Sequence, residues 1–529
     1  MKRWLTCICN RSCLIIFQNM VPISLYISIE IVKTIQAYFI SQDIEMYYEP
    51  YDTPCVPKTW NISDDLGQIE YVFSDKTGTL TQNIMEFQKC SINGVSYGEG
   101  VTEAQRGAAT QEGKADTLDP QELNEKLSNL KHQMLSIMDR AFKNRYAQPD
   151  KLTLVAPKLM EDLTDRSSEQ RKHIVAFFRA LALCHTVLAD KPEAHKKPYH
   201  LEYKAESPDE AALVGAARDV GFPFIGKGKD YVDIEVMGQT ERYTPLRLLE
   251  FNSTRKRMSV IMRCPDGKLI LYCKGADSVI YSRLRADHDL VLKEQTNKDM
   301  ERFANNGLRT LCIAYRYLEE DEYLTWSRTY ETAVNAIEGR DEGIEKANDM
   351  IEHSLSLLGA TALEDKLQKG VPEAIEMLHR AGIKLWILTG KCYLLLSRFF
   401  FCLVANVIPS GDKLQTAIEI GFSCNLLKND MDIMILSADS LEQTRAQIEA
   451  GLNKIASVLG PPSWDIRKRG FVPGAQASFA VVIDGDTLTH ALQPELKQLF
   501  LNLGTQCETV VCCRVSPAQK ALTVKLVRG

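Results

Sequence analysis

The chain has 529 residues, enough for roughly three or four compact units of ordinary domain size, so a single small module is excluded. Its 63 basic and 69 acidic side chains give a net charge of −6 without long blocks of one sign, which argues against a nucleic-acid-binding polycation. The 45% hydrophobic content excludes wholesale disorder, and the 15 cysteines lack the paired C-x-x-C spacing of a zinc site. The composition predicts a multidomain globular protein, most of it in a reducing compartment.

The amino-terminal region contains a mostly apolar stretch, residues 13–32, that is about as long as a membrane-spanning helix. Pro22 and Glu30 interrupt it, so a helix here would need protein neighbours to satisfy its polar groups. A cleaved signal peptide is the alternative, but no small-residue cleavage site follows and Lys33 comes too early. We predict one transmembrane helix within residues 1–42. Basic residues before the helix and a polar chain after it indicate further helices upstream.

The most specific signal is D-K-T-G-T-L-T, residues 75–81, which follows the apolar run Q-I-E-Y-V-F-S. The run predicts a buried parallel strand, and Asp75 at its carboxyl end lies where α/β sheets bind their ligands. Lys76, the Gly78 turn and two threonine hydroxyls offer donors for a phosphoryl group. The heptapeptide resembles the phosphorylation signature of P-type ATPases. The resemblance implies that Asp75 is the nucleophile that becomes an aspartyl-phosphate, that Lys76 stabilises charge, and that Asp75 and Thr77 donate oxygens to Mg²⁺.

The region 86–355 predicts an α+β domain that is inserted into another domain. Apolar residues at helical spacing predict helices over 121–142 and 168–185. Alternating apolar runs predict strands of one antiparallel sheet over 201–203, 246–251, 258–262 and 269–273.

Four short segments of this region resemble, in their order and spacing, the nucleotide-binding domain of the same ATPases. They read S-P-D-E, F-N-S-T-R-K-R-M-S, K-G-A-D and G-L-R-T-L. The resemblance implies that Phe251 stacks on adenine, that Glu210 contacts the base, and that Lys274 and Arg309 are cations near the phosphates. Taken singly, each segment keeps an ordinary structural alternative: a capped helix start, a strand end with a solvated basic run, or a plain turn.

The last part, residues 356–529, predicts the return of the first domain, with an amphipathic helix over 370–381 and a strand over 383–388. In P-type ATPases this strand ends in a T-G-D loop that binds the phosphoryl group. Here Thr389 and Gly390 are separated from Asp412 by the 21 residues 391–411. We interpret the insert as a retained intron in the gene model, because Gly-Lys-Cys can be encoded by GGT-AAG-TGC, which contains a common splice-donor sequence. A membrane span and an exposed surface loop are the alternatives.

Near the carboxyl end, a buried strand T-V-V-C-C-R leads into R-V-S-P-A-Q-K. By the same resemblance, Arg514 and Lys520 belong to the ATP site. The family continues with a G-D-G-x-N-D loop that completes the Mg²⁺ site, and it carries an actuator domain upstream. Neither is found in this sequence, so we expect the chain as written to be an incomplete and inactive fragment.

The resemblance implies an α/β fold. A haloacid-dehalogenase-like Rossmann phosphorylation domain, 43–85 and 356–529, is interrupted by an α+β nucleotide-binding domain, 86–355, and is preceded by one transmembrane helix.

The residues around the proline indicate the class of transported substrate. A cation pump needs hard oxygen ligands at its proline break. The segment here supplies no carboxylate; it consists of Pro22, Ile23, Ser24 and Leu25. This tetrapeptide resembles the phospholipid-flippase branch (type IV), in a fungal form. The resemblance implies ATP-driven movement of phospholipid to the cytosolic leaflet along these residues, with ATP and Mg²⁺, an accessory membrane glycoprotein and no nucleic acid. It also implies an integral membrane protein of the plasma membrane or of Golgi and endosomal membranes, with cytosolic catalytic domains. A cation-transporting P-type ATPase, a non-catalytic nucleotide-binding fragment and a soluble haloacid-dehalogenase-like phosphohydrolase are the alternatives.

Overall fold

The structure is a computed structural model that describes residues 23–59, 63–102, 105, 120–191, 198–252, 255–337, 339–390, 414–428, 430–459 and 478–528. The chain divides into two compact units, Met1–Tyr71 and Val72–Gly529. The strands are β1 (Tyr71–Ser74), β2 (Thr81–Ile92), β3 (Val95–Tyr97), β4 (Leu188–Asp190), β5 (Glu202–Lys204), β6 (Phe224–Lys227), β7 (Val232–Val236), β8 (Gln239–Leu249), β9 (Arg257–Arg263), β10 (Leu269–Gly275), β11 (Arg309–Leu318), β12 (Ser356–Leu367), β13 (Lys384–Gly390), β14 (Met431–Leu436), β15 (Ser478–Asp484) and β16 (Thr509–Val515).

The α-helices are α1 (Ile23–Ser41), α2 (Ser63–Leu66), α3 (Pro120–Ala141), α4 (Pro157–Thr164), α5 (Glu169–Leu183), α6 (Pro208–Val220), α7 (Asp277–Tyr281), α8 (Leu290–Asn305), α9 (Glu320–Val334), α10 (Arg340–Ile351), α11 (Val371–Arg380), α12 (Leu414–Ser423), α13 (Leu441–Leu459), α14 (Gly485–Ala491), α15 (Lys497–Gln506) and α16 (Pro517–Arg528).

The first unit contains α1, whose first residue directly follows Pro22. Within the helix, the hydroxyls of Ser28 and Thr34 donate hydrogen bonds to main-chain carbonyls one turn earlier, at 2.9 and 2.8 Å. This bonding satisfies polar side chains that would otherwise compete with the helix. In the part of the chain that the structure describes, no helix is both long and apolar enough to cross a bilayer. Residues 13–22 of the predicted membrane segment lie outside the described residues.

The second unit contains a nine-stranded sheet with the order β3-β2-β12-β11-β10-β9-β8-β7-β6, in which neighbouring strands run antiparallel. The predicted antiparallel strands over 246–251, 258–262 and 269–273 are confirmed as β8, β9 and β10. The predicted strand over 201–203 is placed wrongly, because β5 pairs with β4 in a separate two-stranded sheet.

Both faces of the nine-stranded sheet are buried at its centre. Val260 of β9 and Tyr272 of β10 join one apolar cluster, which also includes Phe177 of α5. Their neighbours Ile261 and Leu271 join a second cluster. Because side chains alternate between the two faces of a strand, helices on both sides of the sheet explain why these strands are almost continuously apolar in sequence.

The helices that flank this sheet follow their sequence signals closely. The helix predicted over 121–142 is confirmed as α3, with an acid in its first turn and Arg140 in its last. The S-P-D-E segment starts α6, with Ser207 at the N-cap and Pro208 at the first helical position, and α6 ends at Gly221 in a left-handed conformation. Because Pro208 opens the helix, Asp209 and Glu210 lie in its first turn.

A five-stranded sheet with the order β1-β13-β16-β15-β14 forms the other layer of the second unit. Strands β13, β16, β15 and β14 pair in parallel. Their inward residues, among them Ile387, Val482 and Val511, form a separate apolar cluster. The chain leaves this sheet after β1, passes through the nine-stranded sheet from β2 to β12, and returns at α11. The nine-stranded sheet is thus built from one continuous stretch of chain that lies between β1 and the other strands of the five-stranded sheet; β2 begins before residue 86 and β12 begins after residue 355.

Candidate functional site

Asp75 directly follows the last residue of β1, and a tight turn presents its side chain to solvent. The carboxylate oxygen Oδ1 accepts a hydrogen bond from the main-chain amide of Lys76 at 2.8 Å. Gly78 takes φ +77°, and its amide donates to the hydroxyl of Thr81 at 3.2 Å. Thr77 and Gly78 are exposed like Asp75 itself. The D-K-T-G-T-L-T segment thus forms a compact turn with the carboxylate at its start.

Lys520 places its ammonium group beside the second oxygen of this carboxylate. Its Nζ lies 2.6 Å from Oδ2 of Asp75, although the two residues are 445 positions apart. Lys520 lies near the start of α16, which follows β16. Its neighbour Gln519 fixes that start, because its side-chain amide donates to Gly485 O and Thr489 Oγ1, both at 2.7 Å. The helix therefore carries Lys520 to the end of β1.

The other residues predicted for the phosphate site are placed differently. Lys76 is only 2% exposed, and Lys520 also supplies an ammonium to Asp75. Thr389, near the end of β13, uses its hydroxyl inside the sheet and donates to Cys512 O at 3.1 Å. Arg514 is exposed near the end of β16, where its φ is +56°. Gly390 is the last residue of β13.

The predicted residue Asp412 and the insert 391–411 lie outside the described residues, as does Pro22. Of the predicted substrate path, Ile23, Ser24 and Leu25 form the start of α1, and Ser24 and Leu25 are exposed.

A cavity of about 840 Å³ opens beside Asp75. Its lining combines apolar side chains with three cations, and the residues are Phe73, Ser74, Asp75, Leu388, Lys520, Ala521, Val524, Lys525 and Arg528. Because lysine and arginine side chains bind phosphate oxygens through charge-assisted hydrogen bonds, the cavity is chemically suited to a phosphorylated ligand.

A metal ion at this site would depend on oxygen donors. The exposed Asp75 carboxylate and the neighbouring Thr77 offer oxygens only, which suits Mg²⁺, an ion that usually takes one or two carboxylates together with phosphate and water oxygens. Among the described residues, no group of three or more His, Cys, Asp or Glu side chains is arranged to hold a metal ion. The donor set present therefore fits Mg²⁺ shared with a phosphorylated ligand and does not form a cage by itself.

A second polar cluster lies on the nine-stranded sheet, where Lys274 of β10 meets Glu210 of α6. Lys274 Nζ lies 2.6 Å from Glu210 Oε1, and both side chains are buried. The other oxygen of Glu210 accepts from the amide and the hydroxyl of Thr186 at 2.9 and 2.6 Å. Burial by itself would raise the pKa of Glu210, but the Lys274 ammonium and the Thr186 donors outweigh it and lower that pKa to about 2. Glu210 is therefore an anion with all its oxygens engaged.

A second ion pair connects α6 to β11. Arg309 Nη1 of β11 lies 3.0 Å from both carboxylate oxygens of Asp209, the residue before Glu210. The structure thus brings the S-P-D-E, K-G-A-D and G-L-R-T-L segments together, with α6 tied to two adjacent strands. Phe251 lies in the connection between β8 and β9, where it is half-buried and packs against the first apolar cluster.

Sequence reasoning missed Thr186 and its neighbour His185. The Nδ1 atom of His185 accepts from the amide of Val187 at 3.1 Å, so Nε2 carries the proton and donates to Ala182 O at 2.8 Å. Burial lowers the pKa of His185 to about 4, and the ring is therefore neutral. No local pattern marks Thr186, because its partner Glu210 comes from α6, whereas the ring partners of His185 are close to it in sequence.

The interpretation of R-K-R as a solvated basic run is wrong for two of its residues. Arg255 and Arg257 are 6% and 2% exposed and form ion pairs with Glu352 just past α10. Lys256 between them is exposed. A buried carboxylate, which the local sequence does not show, draws both guanidinium groups into the interior.

Comparison with known proteins found a matching family model and several similar sequences. A family model described as "P-type ATPase, cytoplasmic domain N" matches residues 173–370. The chain is 47% identical over 525 residues to the phospholipid-transporting ATPase DNF1 of Chaetomium thermophilum and 47% identical over 522 residues to the phospholipid-transporting ATPase dnf2 of Schizosaccharomyces pombe. It is 44% identical over 537 residues to the phospholipid-transporting ATPase DNF2 of Saccharomyces cerevisiae.

Each of these matches covers 97% of this chain but only 32%, 35% and 32% of the relative, respectively, so the chain spans about a third of the length of these relatives. The chain is therefore similar, over nearly its whole length, to fungal phospholipid-transporting ATPases, and its residues 173–370 match the family model of the P-type ATPase cytoplasmic domain N.

Proposed function

We propose that this chain forms the phosphorylation and nucleotide-binding parts of an ATP-driven phospholipid translocase that works through an aspartyl-phosphate. The observation that carries the proposal is the 2.6 Å contact between Lys520 Nζ and Asp75 Oδ2 beside a cationic cavity. The substrate class rests on the relatives, which are named as phospholipid-transporting ATPases.

The proposed domain organisation follows the two sheets. The five-stranded sheet and its helices would be a haloacid-dehalogenase-like phosphorylation domain, and the nine-stranded sheet would be the inserted nucleotide-binding domain. Support comes from the chain path, which leaves the parallel sheet after β1 and returns at β13. Sheet membership favours boundaries at residues 81 and 367 in place of 86 and 355.

The proposed chemical step is attack of an Asp75 carboxylate oxygen on the γ-phosphorus of ATP. A bond forms between this oxygen and phosphorus while the bond to the bridging oxygen breaks, and ADP leaves with the electron pair. No general base is needed, because the attacking atom is a carboxylate oxygen. The Lys76 amide orients the carboxylate, and the Lys520 ammonium reduces its repulsion with the incoming phosphate. Asp75 and Thr77 would hold Mg²⁺, which P-type ATPases use together with ATP, and this charge would neutralise the phosphate oxygens.

Nucleotide recognition is proposed to use the cluster around Glu210 and Lys274. Phe251 would stack on the adenine ring, Glu210 would contact the base, and Lys274 and Arg309 would be cations near the phosphates. The buried ion pairs support this assignment because they fix charged groups at set positions on two neighbouring strands. Thr389, Gly390, Asp412 and Arg514 remain proposed contributors to the phosphate site.

The membrane-related part of the proposal rests on resemblance and on the relatives. Phospholipid would move to the cytosolic leaflet along a path that includes Pro22, Ile23, Ser24 and Leu25. The protein would lie in the plasma membrane or in Golgi and endosomal membranes, with an accessory membrane glycoprotein as its partner.

The proposal can be tested in a chimaera in which residues 23–529, without 391–411, replace the matching segment of the Chaetomium thermophilum relative. With Mg²⁺ and γ-labelled ATP, we expect an acid-stable, hydroxylamine-labile phosphate that is absent from Asp75→Asn. Retained labelling in Asp75→Asn would place the nucleophile elsewhere. A chimaera that keeps 391–411 should not be labelled, because the insert separates Gly390 from Asp412.

A second measurement distinguishes the substrate class. Uptake of fluorescent phospholipid by cells that produce the chimaera should depend on Asp75. Labelling that is accelerated by a metal cation but not by phospholipid would instead favour a cation-transporting ATPase.

A further inference from the structure

We propose that an acidic stripe on α10 sets the position of the Phe251 ring, with Glu345 and Glu352 as positioning residues for the nucleotide. The stripe consists of Glu345, Asp349 and Glu352, which are spaced four and three residues apart along the helix and just past its end, and so share one face. The inference deepens the proposed function and rests on it, because it assumes that Phe251 contacts the nucleotide.

Glu352 is the centre of the contact between α10 and the connection that carries Phe251. Its side chain is fully buried. Arg257 Nε donates to it at 2.7 Å, and Arg255 Nη2 and Ser259 Oγ also donate to its carboxylate. A buried carboxylate with several donors is stable only in one arrangement of its partners, so the two arginines are held at fixed positions.

The residues on both sides of Phe251 are tied to this stripe. Arg255 Nη1 donates to the carbonyl of Glu250 at 2.7 Å, which connects the residue before Phe251 to Glu352. The residue after it, Asn252, accepts from the amide of Arg255 at 2.9 Å and donates from Nδ2 to Glu345. The aromatic residue is thus held through both of its chain neighbours.

The same connection is attached to the K-G-A-D segment. Lys256 has φ +53°, a left-handed conformation that is unfavourable for a lysine and that persists only where the surroundings hold it. Its amide donates to Asn252 O at 2.8 Å, and its carbonyl accepts from the amide of Ala276 at 3.1 Å. The stripe therefore fixes Phe251 relative to the strand end that follows Lys274.

Asp349 provides a matched control within the stripe. It lies on the same helix face and pairs with Arg257 and, at 3.1 Å, with Arg283. Among the described residues, Asp349 makes no side-chain hydrogen bond to Glu250 or Asn252, so it shares the charge of its neighbours without holding the residues that flank Phe251.

The test measures equilibrium binding of ATP and of inorganic tripolyphosphate to the 529-residue chain. Glu345→Ala should weaken ATP binding about three- to tenfold, because an unfixed ring must lose its freedom on binding. Tripolyphosphate has no ring to stack, so its affinity should stay unchanged. Glu345→Gln keeps an acceptor for Asn252 and should restore ATP affinity. Asp349→Ala should lower the melting temperature yet leave ATP affinity within about twofold of the original.

Glu352→Asp keeps the charge but is too short to reach both arginines, and it should weaken ATP binding like Glu345→Ala. If Glu352→Asp fails to fold, the comparison of Glu345→Ala with Glu345→Gln still decides the test. Equal losses of ATP affinity in Glu345→Ala and Asp349→Ala would overturn the proposal, as would an unchanged affinity in Glu345→Ala. Phe251→Ala distinguishes failure of this inference from failure of the proposed function. An unchanged ATP affinity in Phe251→Ala would refute the nucleotide role of Phe251 itself.

Discussion

Asp75 is held between two donors of different kinds, a main-chain amide on one oxygen and an ammonium on the other. The amide comes from the next residue and belongs to the turn. The ammonium comes from a distant helix and depends on the whole parallel sheet. A carboxylate held in this way is oriented without losing its exposure, which is what an attacking group requires.

We therefore predict that Lys520→Met slows phosphorylation of Asp75 by roughly 10²-fold or more, because removal of one positioned charge from a transition state commonly costs that much. Lys525→Met is the matched control. Lys525 lies on the same helix and lines the same cavity, but the ammonium bonded to Asp75 is that of Lys520. Rates of phosphoenzyme formation in the chimaera would check this, and equal effects of the two substitutions would contradict it.

His185 predicts a pH dependence of stability. Burial is the main cause of its lowered pKa, the Lys274 charge adds to the lowering, and the Glu210 charge opposes it. The folded pKa of about 4 lies below the ordinary value of 6.5, so the unfolded chain binds more protons between these pH values. The free energy of unfolding should therefore fall as the pH drops from about 6.5 to about 4, by at most roughly 3 kcal/mol.

Denaturant unfolding followed from pH 7 to pH 4 would measure this loss. His185→Gln should flatten the dependence, whereas His132→Gln, on the exposed side of α3, should leave it unchanged. An unchanged slope in His185→Gln would show that other groups cause the pH dependence.

At the level of elements, two helical glycines offer opposite expectations. A Cβ on Gly485, at the start of α14, would lie 2.4 Å from the main-chain oxygen of Arg514. A Cβ on Gly215, inside α6, would meet nothing within 4 Å. Gly485→Ala should lower the free energy of unfolding by about 1–3 kcal/mol, and Gly215→Ala should raise it by up to about 1 kcal/mol. Calorimetry of both variants checks the pair, and stabilisation by Gly485→Ala would be the contrary result.

Elements whose signals are local could be predicted from the sequence. The start of α6 follows from S-P-D-E, and α3 follows from its apolar spacing, because caps and periodicity act within a few residues. Asp75 could be assigned for a similar reason, since its turn is encoded in one heptapeptide.

Long-range pairings could not be predicted. The burial of Arg257 depends on Glu352, which is 95 positions away, and a buried arginine has the same sequence signature as an exposed one. Thr186 likewise has no local sequence signal, although its hydroxyl donates a hydrogen bond to Glu210. The separate pairing of β5 with β4 was missed because a run of three residues does not specify which sheet it joins.

At the level of the whole molecule, the nine-stranded sheet determines where an independent fragment can be cut. β12 lies between β2 and β11, so it is a central strand, and it begins after residue 355. We expect residues 81–367 to fold alone and bind ATP, whereas 86–355 should aggregate because the edges of β2 and β11 are left unpaired. Circular dichroism and ATP titration of both fragments check this. A folded 86–355 fragment would show that the loss of β12 is tolerated.

The long separation between Asp75 and Lys520 also has a consequence during synthesis on the ribosome. At ordinary elongation rates of about 5–20 residues per second, the 445 positions between them take roughly 20–90 s to translate. The nine-stranded sheet is complete once residue 367 has emerged, so it can fold while translation continues. Strand β1 must wait for β13 and β16, and during that interval its edge is open to pairing with other nascent chains. Chaperone capture of nascent chains should therefore centre on β1, and should end only when residues beyond 515 leave the exit tunnel.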